Sequence, residues 1–137
     1  MAVLKWIEGF KFEGTFDSGH SIILDASLQA GGKNEGPAPI ELLLVAFGAC
    51  SGMDVISLLQ KQRLNVRSFE IKVTGTRRDE CPRYYTAIQV EYVLTGPNLH
   101  RSKVERAVKL SEQKYCSVYP MLTGKARITS TIRLEEG

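Results

Sequence analysis

The segment ELLLVAFGACSGMDVISLL, residues 41–59, is the most apolar run of the chain and has Cys50 in its middle. The loop before it, AGGKNEGPAP (30–39), contains glycines and prolines, which end earlier elements and suit the entry into a helix. Glu41 in the first turn and cations at the far end match the helix dipole. We therefore predict a helix that runs to about Arg63 and, because its first turns are apolar nearly all round, is buried on most sides.

The same segment predicts a partner subunit. Asp54 and Ser57 make one side of it too polar for a lone membrane span, so a buried helix explains it better. A chain of 137 residues can hardly surround such a helix by itself, which favours a homodimer in which the partner supplies part of the cover. The alternative is a monomer in which the sheet and a second helix are sufficient.

Length and composition predict a single domain, 1–137, of ordinary globular type, with 43% hydrophobic and 24% charged residues. The net charge of +3 comes from interleaved basic and acidic residues, so no nucleic-acid partner is expected. The N-terminal residues MAVLKWIEGF show no export signal. We expect a cytoplasmic protein with no membrane partner, whose three cysteines are free thiols or redox groups.

Alternating apolar and polar residues predict short strands on both sides of the helix. The predicted strands cover 2–7, 10–16, 20–28, 66–76, 84–96 and 125–136. A second helix is predicted over 97–116, with an inward stripe formed by Val104, Ala107, Val108 and Ser111. The order βββ-α-ββ-α-β indicates an α+β fold with antiparallel strands packed against helices.

The cysteines occupy three different environments. Cys50 lies deep in its helix, one turn before Asp54, whose carboxylate would raise a thiol pKa, so activation would need an external cation. Cys116 ends the second helix, and a short helical turn in CSVYPML would lower its pKa. Cys81 lies in the polar loop DECPR and should be exposed. Each cysteine alone could simply pack, but two that meet could attack a peroxide and then close a disulfide.

The motifs PIELLLVAFGACSGMDVISLL and EQKYCSV, with SGHSIILD and RRDECPRYYTAIQVEYVLTG, make the chain resemble the OsmC/Ohr family of organic-hydroperoxide resistance proteins over nearly its whole length, and most of all its YhfA-like branch. The resemblance implies an intertwined homodimer, with strands wrapped around two long central helices. It also implies that Cys50 attacks the peroxide and that Cys116 resolves the intermediate. An organic hydroperoxide would be the substrate and a dithiol the reductant, with no metal or other cofactor.

Two residue types that tune the thiols in relatives do not match. The family's N-terminal arginine is missing, since the first arginine is Arg63 and the only substitutes are Lys5, Lys11, His20 and Lys33. Ile40 stands where relatives have a glutamate after the proline. Glu41 is nine residues before Cys50, so it should face away from the thiol and serve the helix dipole.

Three functional hypotheses follow. The first is a thiol peroxidase that reduces organic hydroperoxides in oxidative-stress defence with Cys50 and Cys116. The alternative, motivated by the missing arginine and glutamate, is a non-catalytic or redox-sensing dimer that binds a small apolar ligand. The third is a plain interaction domain, in which the presence of the two thiols in these motifs would be a coincidence. His20 could polarise a reactant or be solvated, and Tyr115 and Tyr119 could line a pocket or pack in the core.

Overall fold

A computed structural model describes residues 1–136, which separate into two compact units divided after Leu43. The first unit holds a three-stranded antiparallel meander in the order β1-β2-β3. Its strands are β1 (Ala2–Glu8), β2 (Lys11–Phe16) and β3 (Ser21–Leu24). The three strands predicted from the alternating pattern are confirmed, although the third ends four residues earlier than expected.

The early end of β3 is explained by Asp25, a nearly fully buried carboxylate. Asp25 accepts hydrogen bonds from the backbone N–H groups of Ala26, Lys33 and Glu35, at 2.7, 3.3 and 3.2 Å. These bonds hold the 26–35 loop against the strand end, and they lower the pKa of Asp25 against the opposing effect of its burial.

The helix predicted around Cys50 is present as α1 (Pro39–Lys61). Glu41 lies in the first turn, as predicted. Its carboxylate also caps the helix start, because it accepts a hydrogen bond of 2.9 Å from the backbone N–H of Ala38. The helix ends two residues before the predicted position, and Arg63 adopts a left-handed conformation (φ 58°) that stops it.

The second unit contains a mixed sheet in the order β4-β5-β6 and the remaining helices. Its elements are β4 (Ser68–Arg77), β5 (Tyr85–Thr95), α2 (Arg101–Leu110), a π-helical turn (Ser111–Tyr115), α3 (Tyr119–Leu122) and β6 (Arg127–Glu135). The α+β fold class is confirmed. All strand pairs are antiparallel except β5 with β6, which run parallel because a helical crossover connects them.

The core of the second unit is formed by α1, α2 and β5. The predicted inward stripe of α2 is confirmed, since Val104, Ala107, Val108 and Ser111 are all buried. Other buried residues of this unit are Phe47, Val55 and Leu59 of α1 and Ile88, Val90, Tyr92 and Leu94 of β5. On another side of α1, Gly48 and Gly52 face β4 so closely that a Cβ at Gly52 would lie 2.6 Å from Ile71 Cδ1. Glycine therefore permits the close approach of helix and sheet.

The prediction that α1 is buried on most sides is not met within one chain. Only 33% of its most apolar 18-residue window is buried, and Val45 and Met53 are 66% and 69% exposed. The helix is long and apolar enough to cross a membrane by length and composition, a test that core helices of soluble proteins also pass. Exposed apolar residues on the helix are what a missing partner surface would leave.

Candidate thiol site

The structure brings Cys50 and Cys116 together. Cys50 lies on α1 and is partly exposed, whereas Cys116, directly after the π-helical turn, is 5% exposed. Both thiols are free, and a hydrogen bond between the two sulfurs favours the protonated form of Cys116. The two sequence-predicted thiols therefore share one site in the second unit.

Burial raises the pKa of Cys116 to about 11, and its hydrogen bond to Cys50 adds to the rise. The backbone N–H groups of Val118 and Tyr119, at the start of α3, donate to the Cys116 sulfur and lower the pKa. The predicted effect of a helical turn is thus present, but the prediction of a lowered pKa is wrong because desolvation outweighs it. None of the groups that move this pKa most is a cation.

Two buried serines connect the segments that carry the cysteines. Ser111 Oγ lies 3.1 Å from Ser51 Oγ and 2.9 Å from Asp54 Oδ2, and both serine side chains are fully buried. The carbonyl of Ser111 accepts the backbone N–H of Cys116 at 2.7 Å. Ser111 therefore bonds to α1 with its side chain and to Cys116 with its backbone, and Asp54 is engaged by this serine.

The network continues to Tyr92 on β5. Its hydroxyl lies 2.6 Å from Ser51 Oγ and donates to Glu112 Oε1 at 3.4 Å. Burial is the main cause that raises the pKa of Tyr92, and charges on Glu112 and Cys116 add to it. Sequence reasoning missed Ser51, Tyr92 and Glu112. A signal in the sequence is a polar residue within an apolar stripe, which occurs at Ser51 of α1 and at Ser111, the first residue of the π-helical turn.

Glu112 stands between this network and a surface cleft. Burial raises its pKa, against hydrogen bonds from Ser130 and Tyr92 that lower it. The cleft has a volume of about 580 Å³ and lies between α2, β6 and Tyr119. Residues that line it include Arg101, Glu105, Lys109, Glu112, Ser130 and Thr131. Glu112 is thus a half-buried carboxyl that reaches both solvent and the buried hydroxyls.

The two tyrosines beside Cys116 have different surroundings. The ring of Tyr119 packs against Phe47, with 5.9 Å between ring centroids, and also lines the cleft. Tyr115 is half exposed and borders a smaller pocket of about 180 Å³ with Asp54, Ser57 and Lys61. Tyr119 therefore packs and lines a cavity at once, and Tyr115 is a surface residue in the single chain.

Two of the N-terminal lysines, Lys11 and Lys33, form ion pairs within the first unit. Lys11 pairs with Glu35 at 2.7 Å, and Lys33 pairs with Glu8 at 2.9 Å, which raises the pKa of both lysines. His20 Nδ1 lies 3.1 Å from Ser18 Oγ in an exposed turn, and Lys5 is exposed on β1. His20 thus has the solvated surroundings of an ordinary turn histidine.

Cys81 is exposed, as predicted, in the loop between β4 and β5. Among residues 1–136, no group of three or more His, Cys, Asp or Glu side chains is arranged to hold a metal ion.

Residues 32–131 match the family model described as OsmC-like protein, a span that includes both cysteines. The chain belongs to the OsmC-like protein family. It is 45% identical over 128 residues to "Protein YhfA" of Escherichia coli (strain K12), an alignment that covers 93% of this chain and 92% of that protein. The predicted resemblance to the OsmC/Ohr family and to its YhfA-like branch is confirmed.

Solved structures agree with this assignment. A hypothetical protein from Aquifex aeolicus VF5 superposes with a TM-score of 0.87 at 32% identity, covering 100% of this chain and 96% of that chain. An organic hydroperoxide resistance protein OsmC from Legionella pneumophila, also titled a predicted redox protein, superposes with a TM-score of 0.72 at 13% identity, covering 97% and 96%. The second likeness establishes the shared fold.

Proposed function

We propose that this protein reduces organic hydroperoxides with Cys50 as the attacking thiol and Cys116 as the resolving thiol. The observation that carries the proposal is the hydrogen-bonded pair of free sulfurs, one partly exposed and one buried. Membership of the OsmC-like family and the Legionella pneumophila neighbour titled an organic hydroperoxide resistance protein support it.

The proposed reaction has three steps. The Cys50 thiolate attacks the terminal peroxide oxygen and becomes a sulfenic acid as the O–O bond breaks. The organic part leaves as an alkoxide, which takes a proton from solvent to become the alcohol. The Cys116 sulfur then attacks the Cys50 sulfur, the S–O bond breaks, and water leaves as the disulfide forms. An external dithiol reduces this disulfide and is itself oxidised, which restores both thiols.

The different surroundings of the two sulfurs support this division of roles. Cys50 is the sulfur that solvent and reactants can reach, whereas Cys116 is covered. Burial and the hydrogen bond to Cys50 raise the pKa of Cys116 to about 11. Because the thiolate is the nucleophile and must reach the peroxide, the more accessible sulfur, whose partner has the raised pKa, is the better candidate for the first attack.

The test is a single-turnover reaction of the reduced protein with cumene hydroperoxide, followed by intact-mass and peptide mass spectrometry. We expect loss of two hydrogens and a Cys50–Cys116 disulfide in the wild type, an oxidised Cys50 without disulfide in Cys116→Ala, and no consumption of peroxide by Cys50→Ser. Cys81→Ser is the matched control and should behave as the wild type. Undiminished turnover in Cys50→Ser would refute the assignment.

We also propose a cytoplasmic homodimer. Every residue of β1 is exposed in the single chain, including Leu4, Trp6 and Ile7. Val45, Ala49 and Met53 form a second exposed apolar stripe at helical spacing on α1. A second copy of the chain would cover such surfaces, which monomers rarely leave open. The free state of all three cysteines supports a reducing compartment.

The alternative function, a dimer that binds a small apolar ligand or senses oxidants, has one supporting observation. The first unit has a pocket of about 340 Å³ lined chiefly by apolar side chains, among them Leu4, Phe10, Phe12 and Leu24. Under this alternative, the wild type binds an apolar fluorescent probe, Leu24→Glu loses that binding, and the exposed control Leu28→Glu retains it. The thiols would then react with cumene hydroperoxide no faster than free cysteine.

A further inference from the structure

Four hydrogen-bonding contacts join five side chains in one line through the second unit. They run from Glu112 to Tyr92 (3.4 Å), Tyr92 to Ser51 (2.6 Å), Ser51 to Ser111 (3.1 Å) and Ser111 to Asp54 (2.9 Å). The three hydroxyls in the middle are fully buried, whereas the carboxyls at the two ends are half-buried. Glu112 lines the cleft of about 580 Å³, and Asp54 lines the pocket of about 180 Å³. The line therefore connects two surface openings of this unit through its core.

The line has one hydrogen fewer than it needs when both carboxyls are ionised. Four contacts require four hydrogens, and each of the three hydroxyls supplies one. An ionised carboxylate only accepts, so Tyr92 would have to donate to Glu112, and Ser111 would likewise have to donate to Asp54. Ser51, with its single hydrogen, would then face two oxygens, and the contact of 2.6 Å or that of 3.1 Å would contain no hydrogen. Within residues 1–136, the structure gives the three hydroxyls no other hydrogen-bond partner.

We propose that Glu112 and Asp54 share one additional proton through these hydroxyls, so that the line acts as a proton relay between the cleft and the pocket. With the proton on Glu112, every hydroxyl donates toward Asp54. With the proton on Asp54, every hydroxyl donates toward Glu112. All four contacts contain a hydrogen in either state, as buried polar groups require. The relay does not depend on the peroxide chemistry proposed above.

The transfer moves protons and leaves every heavy atom in place. Glu112 gives its proton to the oxygen of Tyr92, and the hydrogen of Tyr92 moves to Ser51. The hydrogen of Ser51 moves to Ser111, and that of Ser111 moves to Asp54. Each O–H bond that breaks is replaced by one on the next oxygen, so every hydroxyl ends with one hydrogen and only the two carboxyls exchange charge. Burial raises the pKa of Tyr92, so its hydroxyl is protonated in both states.

The surroundings of the two carboxyls fit a proton that moves between them. Burial raises the pKa of Glu112, which is the direction expected of a carboxyl that can keep a proton. Asp54 lies one helical turn after Cys50 on the same face of α1, so the relay ends one turn from that thiol. Charged or titratable groups also surround the line: Arg101, Glu105, Lys109 and Tyr119 at the cleft, Lys61 and Tyr115 at the pocket, and Cys116 near Tyr92.

The experiment is a carbon NMR titration of the Glu112 side-chain carboxyl in the wild type, Asp54→Asn, Ser51→Ala and the double variant, all without peroxide. The amide N–H of Asp54→Asn supplies the fourth hydrogen permanently, so every hydroxyl turns toward Glu112. We expect the titration midpoint of Glu112 to fall by about 1 pH unit in Asp54→Asn. Ser51→Ala interrupts the line and lets Tyr92 donate to Glu112 at all times. On that background, adding Asp54→Asn should leave the midpoint unchanged.

Glu105→Gln is the matched control, because it removes a negative charge at the same cleft from a residue outside the line. Its effect on the Glu112 midpoint should be the same with and without Ser51→Ala. If Asp54→Asn lowers the midpoint equally on both backgrounds, the coupling is a charge effect through space and the relay is wrong. If the midpoint does not fall in Asp54→Asn, no proton is shared and the relay is also wrong, while the peroxidase function stands. Ser111→Ala interrupts the line one contact further on and gives the same test if Ser51→Ala does not fold.

Discussion

Ser51 and Ser111, 60 residues apart in sequence, share a hydrogen bond of 3.1 Å in a fully buried position between α1 and the π-helical turn. Ser51 follows Cys50 directly, and the carbonyl of Ser111 accepts the N–H of Cys116. The two hydroxyls therefore fix one cysteine-bearing segment against the other. The thiol pair depends on this polar contact within an otherwise apolar core. Removing the contact should lower the free energy of unfolding and slow the reaction between the two thiols.

Ser111→Ala should lower the free energy of unfolding by about 1–3 kcal/mol, because Asp54 and the buried Ser51 each lose a hydrogen-bond partner. It should also slow disulfide closure after Cys50 is oxidised, because Cys116 is held less firmly. Urea titration measures the first effect and quenched-flow mass spectrometry the second. Ser117→Ala, at an exposed position next to Cys116, is the control and should change neither.

Two glycines of the second unit should respond differently to alanine. A Cβ at Gly75 would lie 2.3 Å from Cε1 of the buried Tyr85 ring, whereas one at Gly52 would meet only the flexible end of Ile71. Gly75→Ala should therefore destabilise the protein by about 1–3 kcal/mol through overpacking. Gly52→Ala should cost less, because the Ile71 terminus can move and alanine favours the helix by about 1 kcal/mol.

Thermal and urea unfolding of both variants measures the contrast. A larger loss of stability in Gly52→Ala than in Gly75→Ala would contradict the packing that the structure shows at β4 and β5.

Glu112 should give the stability a specific pH dependence. Burial raises its pKa above the ordinary value of 4.5. A carboxyl of this kind holds its proton more tightly in the folded state, so its contribution is fully present below the unfolded pKa and is lost as the pH rises through the folded pKa. Glutamine does not ionise, so the Glu112→Gln variant does not lose this part of its stability as the pH rises. The free energy of unfolding of the variant, relative to the wild type, should therefore increase between about pH 4 and pH 7.

Urea titrations of both proteins across this pH range test the sign. A difference between wild type and Glu112→Gln that stays constant with pH, or that decreases as the pH rises, would show that the carboxyl is not held in its protonated form by the fold.

The exposed stripe on α1 makes the proposed dimer testable. Val45 is 66% exposed in the single chain although it lies in the most apolar segment. Val45→Asp should convert a dimeric wild type into monomers, because an unpaired charge in an apolar interface is costly. Analytical ultracentrifugation measures the change. Lys103→Asp, on the exposed face of α2, is the control, and a monomeric wild type would contradict the homodimer.

Local patterns in the chain were sufficient for the helices and strands and for several of their details. Glu41 could be assigned to the start of α1 because it bonds to Ala38, three residues away. The inward stripe of α2 followed from helical spacing, and the cysteine motifs identified the family. The parallel pairing of β5 and β6 could not be inferred in this way, because it depends on the path of the α2 crossover rather than on either strand.

The surroundings of the two thiols could be determined only from the tertiary structure. Neighbours in sequence predicted a lowered pKa for Cys116 and a Cys50 influenced by Asp54. The fold instead buries Cys116 beside Cys50, and Asp54 bonds to Ser111. Capping, strand alternation and helical stripes involve residues a few positions apart, so they can be read along the chain. Desolvation and the contact between two sulfurs depend on atoms that the chain brings together from distant segments, and no local pattern encodes them.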